Sequence, residues 1–210
     1  WRDFIFSKET DSQIIEEYMA IPSLQDIFGS NPYISPTELA KICLSEHRNF
    51  IGEPTNVLFN KSIVKKYGLF NSYFVQLCDL EFWLRVGLNE GIKIVPQTLT
   101  SFRVHSSSTS SNNRNNNSFR AVLLERLLLL HEYTYNPFFS ILNRTATIKG
   151  ENRNLKREFA EKAFWLKNVA YEKAKTAEPS THEKTHWEYL ATSCLYSLLI
   201  LTGLLFYYQF

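Results

Sequence analysis

Residues Ser106 to Asn117, SSSTSSNNRNNN, contain almost no apolar side chain and cannot contribute to a packed core. This run divides a chain of 210 residues into two parts with different patterning. Before it, short strand-like and helix-like segments alternate up to His105; after it, the apolar patterns are helical only. That order implies an α/β half-domain followed by a mainly α-helical region. The boundaries fall at 1–110 for the α/β part, 111–117 for a low-complexity loop and 118–210 for the helical region.

Length and composition suffice for a sizeable core, and a net charge of +2 gives no electrostatic reason to expect a nucleic-acid partner. Cys43, Cys78 and Cys194 form neither a disulfide framework nor a zinc-ligand spacing, which points to a reducing cytoplasm. The chain opens at Trp1 rather than Met and shows no signal peptide, so it reads as a piece of something longer.

Local patterns fix several elements. Residues 1 to 43 read as loops and short helices, with a helical turn over Ile14–Met19 and a helix start at Ser35-Pro36-Thr37-Glu38. Thr55, Val57 and Phe59 alternate, which predicts a strand over Thr55–Phe59. Ser62 is expected to cap a short helix that stops at Gly68. A helix from Asp79 to about Leu88 buries Leu80, Trp83, Leu84 and Leu88, with Glu81 and Arg85 as a surface pair, and ends at Gly91. Strands follow over Ile92–Val95 and Thr98–His105. In the second part, Ser118 caps a helix running to about Tyr133, Pro137 interrupts, and Asn154 precedes a long helix from Leu155 to about Thr176.

Two segments carry the chemistry: CDLEFWLR at Cys78–Arg85 and FRVH at Phe102–His105. Together with HRNFIGEPTNVLF and GLF upstream, they run from His47 to Ser110 in an order and spacing that resembles the C-terminal half of family-2 glycosyltransferases of the GT-A fold. The likeness is good over Asn49–Ser110 and loose over Trp1–Arg48. The Asp-x-Asp and the alternating strands and helices that hold the nucleotide in such enzymes are not in this sequence.

The resemblance implies a partial GT-A half-domain from an inverting enzyme that moves a sugar from a nucleotide-sugar donor to a glycan or lipid-linked acceptor. It makes Asp79 the general base that takes the acceptor's proton, although the acidic residue that often precedes that base is here Cys78. It also implies a divalent metal, Mn or Mg, with His105 helping to hold the metal–diphosphate and Arg103 contacting phosphate. Glu53, in Gly52-Glu53-Pro54-Thr55, would bond an acceptor hydroxyl. Read from the residues alone, Asp79 is a helix N-cap, Gly52–Thr55 is a turn, and Arg103 with His105 is the polar face of a strand. Trp83 shares its helix face with Leu80 and Leu84 and belongs to the core. This chain alone is expected neither to bind a nucleotide-sugar tightly nor to transfer sugar.

Two further patterns bear on function. His182-Glu183-Lys184-Thr185-His186 fits H-E-x-x-H, but Glu188 is too close to serve as the third zinc ligand, so a metalloprotease site cannot be completed. Tyr189–Phe210 carries no charged residue and is long enough to cross a bilayer, though Thr192, Ser193, Ser197, Thr202 and Gly203 dilute its hydrophobicity. Two other readings therefore stand beside the enzyme: a non-catalytic glycan-binding module, and a membrane-anchored helical protein. The expected location is the cytoplasm, or the inner face of the cell membrane with a peripheral attachment.

Overall fold

The computed structural model describes residues 2–45, 49–105, 119–148, 153–177 and 182–201. The polar run 106–117, the cap expected at Ser118 and the end of the Tyr189–Phe210 segment lie outside them.

The chain is mixed α/β with small sheets and many helices. Strand β1 (Arg2–Phe6) is followed by α1 (Ser12–Met19), α2 (Leu24–Phe28), β2 (Tyr33–Ile34) and α3 (Pro36–Cys43). After a 3-10 turn at Pro54–Asn56 come α4 (Ile63–Tyr67), α5 (Cys78–Glu90), β3 (Ile92–Lys93) and β4 (Thr100–Val104). The second part holds α6 (Phe119–Tyr135), α7 (Ser140–Ile148), α8 (Leu155–Thr176) and α9 (His182–Leu201). β1 and β4 pair in parallel, from Arg2 opposite Thr100 to Phe6 opposite Val104. A parallel pair needs a long crossover, and α1 to α5 all lie within it. β2 and β3 form a short antiparallel ladder.

Several helix boundaries follow from caps. Ser35 and Glu38 make a reciprocal capping box at the start of α3, with Pro36 at its first position. Asn154 Oδ1 accepts the Arg157 amide at the start of α8. Gly68 and Gly91, each at φ 80, end α4 and α5.

The structure corrects the local reading in four places. Arg2–Phe6 is a strand and not loop: Arg2, Phe4 and Phe6 point inward with Phe102 and Val104 of β4, and Tyr18 of α1 stacks on Phe4 and Phe102 with ring centroids 5.4 and 6.0 Å apart. Thr55–Phe59 is not a strand. Pro54 starts a 3-10 turn instead, and Leu58 is wholly exposed while Phe59 packs on Trp83. Ser62 precedes α4 without a side-chain cap bond; the Asn60 side chain accepts the Ser62 amide. Glu81 and Arg85 are buried, not on the surface.

That pair has a purpose inside the fold. Arg85 donates to both Glu81 carboxylate oxygens from Nε and Nη2, at 2.8 and 2.9 Å, and onward to the carbonyls of Tyr67 and Leu69. It therefore ties the end of α4 to the middle of α5. Burial holds the Glu81 carboxyl above its ordinary value, and Arg85 offsets only part of that rise.

The two parts of the chain share one core. Leu39, Ala40 and Cys43 of α3 and Leu80, Phe82, Leu84 and Leu88 of α5 pack with Leu129 of α6, Phe139 just before α7, Leu142 and Ala146 of α7, and Leu155 of α8. Gly87 lets α3 approach α5 closely, since a Cβ there would overlap Leu39. A second cluster joins Leu127 of α6 to Phe159, Ala163, Leu166, Ala170 and Ala174 of α8 and to Trp187, Leu190 and Cys194 of α9. The spacing of three and four on α8 places these five on one stripe, and its three alanines admit α9 closely. Among the described residues no helix is long and apolar enough to cross a membrane.

Arg85→Met leaves Glu81 buried without its counter-charge and should lower the unfolding free energy by about 3–5 kcal/mol in urea denaturation. Adding Glu81→Leu should restore part of that loss. A single variant as stable as the parent would show that the pair is not holding α4 to α5.

Candidate functional site

Three chain segments meet at the first turn of α5. Leu77 occupies its N-cap position, and Asp79 is the second helical residue, so Asp79 is not the cap. Its Oδ1 accepts the neighbouring Leu80 amide at 2.7 Å, and its Oδ2 lies 3.5 Å from the Asn49 side-chain amide. The carboxylate is half-buried.

The second segment is the loop 49–56. Asn49 closes it by accepting the Gly52 amide at 2.9 Å, and Asn56 donates to the Ile51 carbonyl at 3.0 Å while accepting from Thr100 of β4. Gly52 adopts φ 110 with its Cα against the Arg2 guanidinium, where a Cβ would overlap it. The loop thereby presents Glu53 to the third segment, the start of β1. Arg2 Nε stands 2.8 Å from Glu53 Oε2, and Arg2 is 1% exposed, lying also over the Phe4 ring.

Two carboxyl groups thus share the field of one buried guanidinium. Burial raises the Asp79 carboxyl above the ordinary Asp value, and the charge of Glu53 adds to the effect. The Leu80 amide and Arg2 oppose it without cancelling it. Burial lowers Arg2 in turn, against the attraction of Glu53 and Asp79. A half-buried carboxylate whose affinity for protons is raised is suited to proton transfer.

The structure gathers Asp79 and Glu53, two of the four residues picked out in the sequence. It does not bring Arg103 and His105 to them. The two-residue period of β4 sends Phe102 and Val104 inward, on the side of Arg2, and leaves Arg103 and His105 exposed on the other side, with Asp3 and Ile5 of β1. Among the described residues no group of three His, Cys, Asp or Glu side chains is placed to hold a metal ion. An exposed imidazole beside a guanidinium does not fit a divalent cation by itself. In H-E-x-x-H, His186 is exposed on α9, and the side chains of His182 and Glu183 lie outside the description. Trp83 is buried among Phe59, Phe70 and Phe82, as core.

Two participants were not singled out in the sequence. Arg2 carries the parity signal R-x-F-x-F, which identifies its face once Arg2–Phe6 is taken as a strand. Glu125, a lone acid in the apolar run of α6, is 3% exposed and accepts the amides of Val75, Gln76 and Leu77 at 2.9, 2.9 and 2.8 Å. It positions the residues that lead into α5 and hence Asp79.

No protein-family model matches the chain, and no solved structure matches it. Over 60 residues it is 40% identical to Uncharacterized protein MT1568 of Mycobacterium tuberculosis (strain CDC 1551 / Oshkosh). That match spans 29% of this chain and 18% of the length of the mycobacterial protein.

Because its carboxyl holds a proton more tightly when folded than when unfolded, Asp79 destabilises the fold as pH rises from the ordinary Asp value, about 3.9, through the raised one. Asp79→Asn should therefore be more stable than the parent at neutral pH, with the gain vanishing below pH about 4. Thermal melts across that range check it, and a variant less stable at neutral pH contradicts the raised affinity. Gly52→Ala, strained at its φ and overlapping Arg2, should cost about 1–3 kcal/mol in urea denaturation.

Proposed function

We propose that the chain forms the acceptor-side part of an inverting glycosyltransferase, with Asp79 as its general base. Asp79 takes the proton of an acceptor hydroxyl as that oxygen attacks the anomeric carbon of a nucleotide-sugar. The new bond forms between oxygen and anomeric carbon, and the nucleoside diphosphate leaves with the electron pair of the bond it loses. Glu53, anchored by Arg2 through Oε2, accepts a hydrogen bond from another hydroxyl of the glycan or lipid-linked acceptor. The observation that carries this reading is the half-buried Asp79 at the first turn of α5, its proton affinity raised by burial and by Glu53. The resemblance of Asn49–Ser110 supports it.

In this reading the donor's base, ribose and diphosphate, and a Mn or Mg ion with it, take their ligands outside the described residues. The work is done in the cytoplasm, at the inner face of the membrane when the acceptor is lipid-linked. The exposure of Arg103 and His105, on the face of the β1–β4 pair opposite Arg2, favours a second reading, a glycan-binding module that keeps the acceptor cleft without catalysis.

Sugar transfer from a panel of nucleotide-sugars, with Mn²⁺ present, separates the two. In the natural protein containing this sequence, Asp79→Asn should lower kcat by about 10²-fold or more with its circular dichroism unchanged. Near-normal turnover in that variant contradicts the base assignment. Oligosaccharide binding that is unaltered by Asp79→Asn, with transfer in neither protein, selects the binding module.

A further inference from the structure

Beside the first turns of α5, where Leu77, Leu80 and Leu84 line it, lies a cavity of about 510 Å³ between α3, α5, α6 and α8. Its size falls within the roughly 300–1,000 Å³ of small-molecule sites. Leucines of α5, α6 and α8 line it, together with Phe50 and Tyr133.

The charges around it do not balance. Glu158 is held by Arg153 at 2.5 and 2.8 Å, and Glu161 by Arg157 at 2.7 Å. The side chains of Arg126 and Lys162 also line the cavity, and neither makes a hydrogen bond or ion pair among the described residues. Trp165, half exposed, joins them in the lining. An apolar chamber edged by two uncompensated cations and an indole suits a ligand that is hydrocarbon at one end and anionic at the other.

We propose that this cavity binds a single-chain amphipathic anion, with its alkyl chain among the leucines and its head group between Arg126 and Lys162. The site goes beyond the sugar-transfer reading and does not rest on it, because none of Arg2, Asn49, Glu53 and Asp79 lines the cavity.

Calorimetric titration of the intact chain with decanoate, decyl phosphate, decanol and inorganic phosphate tests it. Either anion should bind more tightly than decanol, the tighter anion identifies the head group, and inorganic phosphate alone should not bind. Arg126→Ala with Lys162→Ala should weaken the anions by about fivefold per charge removed and leave decanol unchanged. Both substitutions are on the surface, so the fold is retained. Leu130→Trp should abolish binding of all three alkyl probes. The proposal is overturned if no alkyl probe binds, if inorganic phosphate binds as well as decyl phosphate, or if the double charge variant binds decanoate like the parent.

Discussion

The carboxylate of Glu125 is the contact on which the arrangement of the α/β part depends. Three consecutive amides, of Val75, Gln76 and Leu77, converge on it from the loop that leads into α5. The N-cap residue Leu77 has no side chain able to satisfy its own helix, so the acid is supplied by α6 instead. A negative charge at that end also complements the dipole of α5. Had these amides been buried without Glu125, each would cost about 1–3 kcal/mol. The clamp fixes where α5 begins, and therefore where Asp79 stands. The helical part is in this sense a component of the candidate site.

The same economy appears on the other side of Asp79. Arg2 reaches its place because it shares a strand face with Phe4 and Phe6; as the first residue of β1 it lies over the Phe4 ring and meets the loop 49–56. Gly52 opens the space for its guanidinium, and Glu53 supplies the counter-charge. Asp79 is left without a dedicated cation, half-buried and near a second carboxylate. Structural ion pairs such as Glu81–Arg85 are closed in on themselves; Asp79 is not. That contrast within one helix is the physical ground for reading Asp79 as a working group.

Much of the helical scaffold was legible in the sequence because local rules decide it. Asn154 begins α8 and Ser35-Pro36 begins α3 by capping alone, and the apolar spacing of α5 marks Leu80, Trp83, Leu84 and Leu88 as buried. What escaped was set by distant partners. Thr55–Phe59 alternates like a strand, but among the described residues no strand pairs with it, and Pro54 starts a 3-10 turn. Arg2–Phe6 is too short to stand out until β4 arrives beside it. Glu81 and Arg85 show favourable spacing for a surface pair, and it is the packing of distant segments, α4 and the Pro137–Phe139 turn, against α5 that makes them interior. Of the candidate site, Asp79 and Glu53 were picked out in the sequence by their place in CDLEFWLR and Gly52-Glu53-Pro54-Thr55. Arg2 and Glu125 were not, since each acts across the fold on residues far away in sequence.

Amide hydrogen exchange of the folded chain measures the clamp most directly. The amides of Val75, Gln76 and Leu77 should exchange slowly in the parent. In Glu125→Gln they should exchange much faster, while amides in the middle of α5 keep their protection. Rapid exchange at these three amides in the parent, or protection unchanged in the variant, would show that Glu125 does not hold the start of α5.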